Sequence, residues 1–294
     1  MRDFNIKRIL VPTDISEASR VELDYAVLFS DAFGGEIALF YADPTGVQFD
    51  LLTGAPIYLS GLADAEIAQI EKEVRVYADP SLKGRPYQVK IGIGDPVLSI
   101  ANEARARAAD LIVMATHGLR GWRRTALGSV TEGVVHGAPC PVLSIARSDR
   151  FPRLLVPGVT KIVCPINFSE VALESLQSAA KLAKSFGCEL VIVHVVEPEE
   201  KGARVADEQR VRSWIGAEIQ SSCTYREIVL RGGAAERILD CVEDIGADLL
   251  VIGAQQKLFR DETVIGTTTE RLIRFARVPV LTVVRATKAA EKAA

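Results

Sequence analysis

Short apolar runs alternate along this chain with longer stretches in which apolar positions recur every three or four residues. In the first half the runs predict strands near residues 7–11, 37–41, 88–93, 111–115 and 142–145. Leu111-Ile112-Val113-Met114 is continuously apolar, the pattern of a strand buried on both faces of a parallel sheet. Between the strands, Ser16 can cap a helix that ends near Gly34-Gly35, with Val21, Tyr25, Leu28 and Phe29 spaced for an inward face. Further helices are predicted over 63–77, 96–108 and 129–136. Strand–helix alternation with right-handed crossovers gives a Rossmann-like, doubly wound α/β sheet flanked by helices. Such sheets bind ligands beyond the carboxyl ends of their strands, where strand order reverses. That rule directs attention to Asp14, Tyr41 and the loop after Met114.

The pattern then repeats. Arg8-Ile9-Leu10-Val11-Pro12-Thr13-Asp14-Ile15-Ser16 returns as Lys161-Ile162-Val163-Cys164-Pro165-Ile166-Asn167-Phe168-Ser169. Ala109-Asp110-Leu111-Ile112-Val113-Met114 returns as Ala247-Asp248-Leu249-Leu250-Val251-Ile252, and Pro141-Val142-Leu143-Ser144-Ile145 as Pro279-Val280-Leu281-Thr282-Val283. Self-similarity of this kind predicts two tandem domains, residues 1–148 and 160–294, joined by a linker over 149–159. The first copy is longer, and its excess falls in residues 44–62, an insertion unusually apolar for a loop. That insertion could lid the site, cover the core or meet a partner.

Composition narrows the function classes. Of 294 residues, 48% are hydrophobic and 25% charged, the balance of a soluble globular protein. A net charge of −3 supplies no global field for nucleic acid or an anionic membrane. Residues 1–8 are polar and charged, unlike a signal peptide, and no apolar run reaches the length of a membrane span. Five cysteines, an odd number without a C-x-x-C pair, read as reduced thiols of a cytoplasmic protein. His136 reads as a surface residue and His194 as a strand-end residue. No pair of histidines, cysteines or carboxylates has metal-ligand spacing.

The candidate chemistry follows the fourth strand. Ala115-Thr116-His117-Gly118 leads, after nine residues, to Gly128-Ser129-Val130-Thr131. Gly118 permits a left-handed turn that brings backbone N–H groups near an anion. Gly128-Ser129 opens a helix whose first N–H groups and dipole favour negative charge. Arg120, Arg123 and Arg124 lie between them with no acidic residue, and guanidinium forks suit phosphate oxygens. Trp122 reads as a packing residue.

This spacing resembles the ATP-binding signature of the universal stress protein superfamily: glycine, two residues, glycine, nine residues, glycine, then serine or threonine. Ala115 stands where the first glycine is usual. Val11-Pro12-Thr13-Asp14-Ile15-Ser16 is similar to that family's first strand and turn, and residues 128–142 to its fourth helix and fifth strand. The resemblance covers both copies and implies two five-stranded parallel sheets of order 3-2-1-4-5. It implies that Pro12, Thr13 and Asp14 border the adenine and ribose end, that Tyr41 lines the adenine pocket, and that Met114 and Ala115 floor the site. His117, Gly118, Arg120 and Gly128 would meet the phosphates of ATP, with Mg2+ carried by those phosphates. Ser129, Val130 and Thr131 would donate to them.

The second copy departs at the site. Asn167 replaces Asp14, Gln256 takes the place of Gly118, and residues 257–265 carry balanced charge, although Gly253, Gly266 and Thr267 remain. A left-handed glutamine costs about 1–2 kcal/mol. The second copy is therefore expected to be a structural pseudo-site. Its fifth strand would cover the exposed edge of the first copy's fifth strand, an intramolecular pseudo-dimer, and homodimerisation of the whole chain stays open. The leading function is a stress-linked ATP-binding sensor acting through a protein partner not identifiable from sequence. The alternatives are a nucleotide-free interaction module and an enzyme such as a slow ATP hydrolase. No Walker lysine or nucleophile–base pair is recognisable by motif.

Overall fold

The computed structural model describes residues 5–17, 19–44, 47–49, 56–58, 63–116, 128–146, 158–197, 204–254, 257–259, 262–264 and 266–284. The chain divides into two compact units, Asn5–Cys140 and a second that begins at Pro141.

The first unit runs β1 (Arg8–Pro12), α1 (Val21–Phe33), β2 (Glu36–Asp43), β3 (Val47–Phe49), β4 (Pro56–Tyr58), α2 (Asp64–Leu82), β5 (Tyr87–Ile93), α3 (Pro96–Ala106), β6 (Leu111–Ala115) and α4 (Ser129–Gly137). Its main strands lie in the order β5-β2-β1-β6, all parallel. The chain steps outward from β1 on one side and returns to β6 on the other, which makes the β1/β6 boundary the switch point. β1 and β6 supply the continuously buried Ile9, Leu10, Val11, Leu111, Ile112 and Val113. β3 and β4 form a small antiparallel ladder inside the 44–62 insertion, from Val47↔Tyr58 to Phe49↔Pro56.

The second unit holds β7 (Val142–Ile145), β8 (Lys161–Ile166), α5 (Glu170–Phe186), β9 (Glu189–Val196), α6 (Arg204–Trp214), α7 (Ala217–Ser222), β10 (Tyr225–Arg231), α8 (Ala234–Asp244), β11 (Leu249–Ala254), β12 (Lys257–Phe259), β13 (Glu262–Val264), α9 (Thr267–Phe275) and β14 (Val280–Val284). The parallel order is β10-β9-β8-β11-β14. β7 then lies antiparallel to β14, with Leu143 opposite Leu281. β12 and β13 pair antiparallel where the sequence suggests only a loop, because strands of three residues are too short for periodicity to signal.

The repeated Ala-Asp-Leu motif has a structural reason. Asp110 Oδ2 accepts the N–H groups of Lys7 and Arg8 at 3.0 and 2.9 Å. Asp248 Oδ2 accepts those of Thr160 and Lys161 at 2.8 and 3.0 Å. Each aspartate thus satisfies two backbone donors where the copy's first strand begins, next to its fourth strand.

Two helix readings change. Ser16 does not immediately precede an α-helix: Ser19 N–H bonds to its Oγ and carbonyl, and Glu22 and Leu23 N–H reach back three residues to Ser19 and Arg20. The first turn is thus wound in the tighter 3₁₀ manner, and α1 proper starts at Val21. In the second copy the matching Ser169 does cap its helix, accepting Ala172 N–H at 3.2 Å. The inward face of α1 agrees in part with expectation. Tyr25 and Phe29 are buried as expected, joined by Glu22, Leu23 and Ala26, while Val21 and Leu28 are half-buried.

Candidate functional site

The carboxyl ends of β1 and β6 and the start of α4 converge at the switch point. His117, Gly118 and Arg120, with Trp122, Arg123 and Arg124, lie outside the described residues. The two ends of their loop are described, and they are pinned together. Gly128 N–H donates to Thr116 O at 2.8 Å, and the Thr131 hydroxyl donates to Ala115 O at 2.9 Å. A Cβ at Gly128 would sit 2.4 Å from Thr116 O, so glycine is required by the closeness of two backbones and not by torsion, since φ is −61°. Thr131 is buried at 2% exposure. Its hydroxyl is directed to the strand end. Ser129 is exposed, and the N–H groups of Ser129, Val130 and Thr131 form the first turn of α4, which has no intrahelical acceptor.

After β1, Thr13 N–H donates to Phe40 O at 2.9 Å, tying the loop to β2. Asp14 Oδ1 accepts Ser16 N–H at 3.0 Å and the Ser19 hydroxyl at 2.8 Å, an Asx turn that shapes the bend. Ile15 adopts φ 61°, a left-handed conformation costly for a β-branched residue. Phe168 has the same φ at the matching place, so both copies hold this loop by its surroundings. Tyr41, half-buried at the end of β2, has its phenol pKa raised by burial and then by Asp43, Asp14 and Glu73. Met114 is buried beneath, and Pro12 ends β1. The described residues singled out from sequence thus gather around one sheet end.

Three residues there were not anticipated. Glu22 is 1% exposed and its Oε2 accepts Ala115 N–H at 3.2 Å. Tyr77 of α2 meets Ser19 Oγ at 3.1 Å and carries Arg20 over its ring at 4.9 Å. Burial, reinforced by Glu22, pushes the Tyr77 phenol well above its usual range. A glutamate in an amphipathic pattern reads as solvent-facing, which hides Glu22. The inward positions Leu23, Ala26 and Phe29, one turn apart, were the available signal.

The second copy builds a different surface from the same positions. His194 occupies the place of Tyr41, opposite Ile166 as Tyr41 follows Phe40 opposite Pro12. It lies near the end of β9, as its sequence position suggests, and it is buried: its Nδ1 contacts Ile166 O at 3.1 Å, and its ring lies 4.5 Å from that of Phe168. Trp214 of α6 packs edge-on against Phe168 at 5.6 Å, and Arg210 lies over the same ring at 4.0 Å. Aromatic side chains of the chain itself therefore fill this end of the second copy. Among the described residues Gly266 has no neighbour within 4 Å of a Cβ, and Thr269 reaches Gly253 O only at 3.4 Å, so the described ends there are less tightly tied.

A profile of the universal stress protein family matches residues 5–145 and again 158–284. The chain belongs to this family. Two universal stress proteins of Methanocaldococcus jannaschii each align with about half of it. One is 32% identical over 149 residues, covering 49% of this chain and 84% of its own length. The other is 27% identical over 161 residues, covering 49% and 96%. The crystal structure of a universal stress protein from Archaeoglobus fulgidus matches 95% of this chain and 98% of its own, with a TM-score of 0.71 and 26% identity. A functionally unknown protein of Pseudomonas aeruginosa shares the fold at 18% identity, with a TM-score of 0.67, over 98% of this chain and 96% of its own.

Elsewhere, a cavity of about 120 Å³ opens at the opposite end of the first sheet, near Arg8, Glu36, Gln88 and Arg107. Both of its arginines are engaged, Arg8 with Asp110 and Arg107 with Glu103 and Gln88. Among the described residues no cluster of three potential metal ligands occurs, and no helix is long and apolar enough to cross a membrane.

Proposed function

We propose that this universal stress protein is a nucleotide-responsive regulator whose first copy holds ATP, with Mg2+ carried on the phosphates, while its second copy is a structural pseudo-site. The observation that carries this reading is the pinned base of the 117–127 loop. Gly128 to Thr116 and Thr131 to Ala115 bring the open first turn of α4 beside the ends of β1 and β6. Amides of that turn and the helix dipole would hold an anion without a lysine. The exposed Ser129 hydroxyl would add a donor, and Arg120, Arg123 and Arg124 would add charge. Asp14 and Tyr41 would border the nucleoside.

The contrast between copies supports the pseudo-site. Where the first copy has Tyr41 and Ile15, the second has His194 and Phe168, closed over by Trp214 and Arg210. A base could enter there only by displacing that cluster.

Calorimetric titration of the full chain with Mg-ATP tests both parts. One site per chain is expected, and adenine nucleotide should appear by mass spectrometry when the purified protein is denatured. Two equivalent sites would remove the pseudo-site. No binding and no released nucleotide would remove the ATP reading in favour of an interaction module.

A further inference from the structure

Glu22 occupies an unusual place for a carboxyl group. The repeat puts Ser175 at the matching position, and that hydroxyl donates to Ala172 O at 2.9 Å and accepts from Cys164 Sγ at 4.0 Å. Glu22 reaches across the fold. Its Oε2 accepts Ala115 N–H at 3.2 Å, and the carboxyl also meets the Thr13 hydroxyl. Among the described residues its Oε1 has no hydrogen-bond partner, although the side chain is buried. A carboxylate enclosed with one bare oxygen is far less favourable than the neutral acid.

Its two contacts lie at a fork. Ala115 passes on through its carbonyl to the Thr131 hydroxyl at the start of α4, and the next residue, Thr116, holds Gly128. Thr13 Oγ1 accepts Ile15 N–H at 3.1 Å in the strained turn beside Asp14. One side chain therefore touches the roots of both loops that leave the switch point.

We propose that Glu22 is a positioning residue of the nucleotide site, a buried carboxyl that holds the ends of β1 and β6 in register for the Asp14 turn and the start of α4. The proposal rests on reading the first copy as a nucleotide site.

The titratable groups around Glu22 are Asp14 from the loop after β1 and Tyr77 from α2, with Arg20 over the Tyr77 ring; β6 presents none. Burial holds the Glu22 carboxyl well above the usual carboxylate range; the Thr13 hydroxyl and Ala115 amide oppose that rise, and Asp14 adds to it. Folded Glu22 thus keeps its proton where an unfolded glutamate, with a pKa of about 4, has lost it. Its contribution to stability is full below that pH and is lost as pH rises toward the folded value. Ionisation would also put a second negative charge beside Asp14, at a site that is to bind an anionic nucleotide.

The test uses the full-length wild type, Glu22→Gln and Glu22→Ala, titrated with Mg-ATP from about pH 6 to about pH 9.5 and melted without nucleotide from about pH 4 upward. Glu22→Gln keeps the shape and the neutral acceptor, so it should bind as the wild type does near neutrality and hold that affinity where the wild type weakens. Its melting temperature should gain on the wild type progressively as pH rises. Glu22→Ala should bind about tenfold or more weakly at every pH, the loss expected when a buried amide loses its acceptor. If Glu22→Ala does not fold, the glutamine variant decides alone. Wild-type affinity in Glu22→Ala, or a Glu22→Gln melting temperature that tracks the wild type across the range, sinks this proposal and leaves the nucleotide reading intact. Absence of wild-type binding at any pH removes that reading and this proposal with it.

Discussion

The junction of Thr116 with Gly128 can be tested by making one substitution in both copies. Gly128 and Gly266 each precede a nine-residue helix and have nearly the same backbone, φ −61° and ψ 136° against φ −64° and ψ 144°. Alanine is free to adopt either, so no torsional strain arises. The surroundings differ. At Gly128 a Cβ would lie 2.4 Å from Thr116 O and 3.4 Å from its carbonyl carbon, whereas at Gly266 it meets nothing within 4 Å among the described residues. Relieving the clash at Gly128 moves backbone against backbone and breaks the 2.8 Å bond between Gly128 N–H and Thr116 O. That bond contributes about 0.5–1.5 kcal/mol, and overpacking of this kind costs about 1–3 kcal/mol. Two further effects act equally at both sites: the entropy that alanine removes from the unfolded chain, about 0.4–1 kcal/mol, and the poorer N-cap that alanine makes. The difference between the variants therefore isolates the steric effect. Gly128→Ala should destabilise by about 1.5–4.5 kcal/mol more than Gly266→Ala. It should also weaken Mg-ATP binding, while Gly266→Ala leaves that binding unchanged. Urea unfolding, with hydrogen exchange on peptides spanning residues 110–140, measures the first effect, and titration the second. Equal losses in stability would refute the close-approach argument. Retained nucleotide affinity in Gly128→Ala would refute the link between that junction and binding.

Three other outcomes follow from the geometry. Asp110→Ala should cost about 1–3 kcal/mol by stranding the Lys7 and Arg8 amides, with little from the exposed Arg8 ion pair; Asp110→Asn should recover part of this in a urea series. Lys83→Gly should stabilise by about 1 kcal/mol in thermal unfolding, because exposed Lys83 ends α2 at φ 49°. Trp214→Ala should destabilise the second unit by about 1–3 kcal/mol, less than a fully buried indole would lose, and should leave the nucleotide stoichiometry of the chain at one.

The apolar pattern alone specified a great deal here. Runs such as Leu111-Ile112-Val113-Met114 are legible because a strand buried on both faces leaves no choice of residue. The repeat is legible because each copy must build the same sheet, down to Asp110 and Asp248 at equivalent strand entrances. Gly128 was visible as part of a motif, but its reason was not: the obstacle is Thr116 O, brought close only by folding. Sequence placed Ser16 at a helix start yet could not foresee that the first turn winds as 3₁₀.

The tertiary structure decided what polar residues do once they are enclosed. Glu22 and Tyr77 are far apart along the chain, and the glutamate reads as an ordinary surface residue of an amphipathic helix. Folding brings both to Thr13, where burial sets their protonation. His194 and Trp214 likewise become one aromatic cluster through packing against Phe168. Periodicity reports which face of an element avoids water, because that preference is local and repeats with the backbone. Which polar atom meets which partner depends on distances between elements, and those exist only after the sheet has closed.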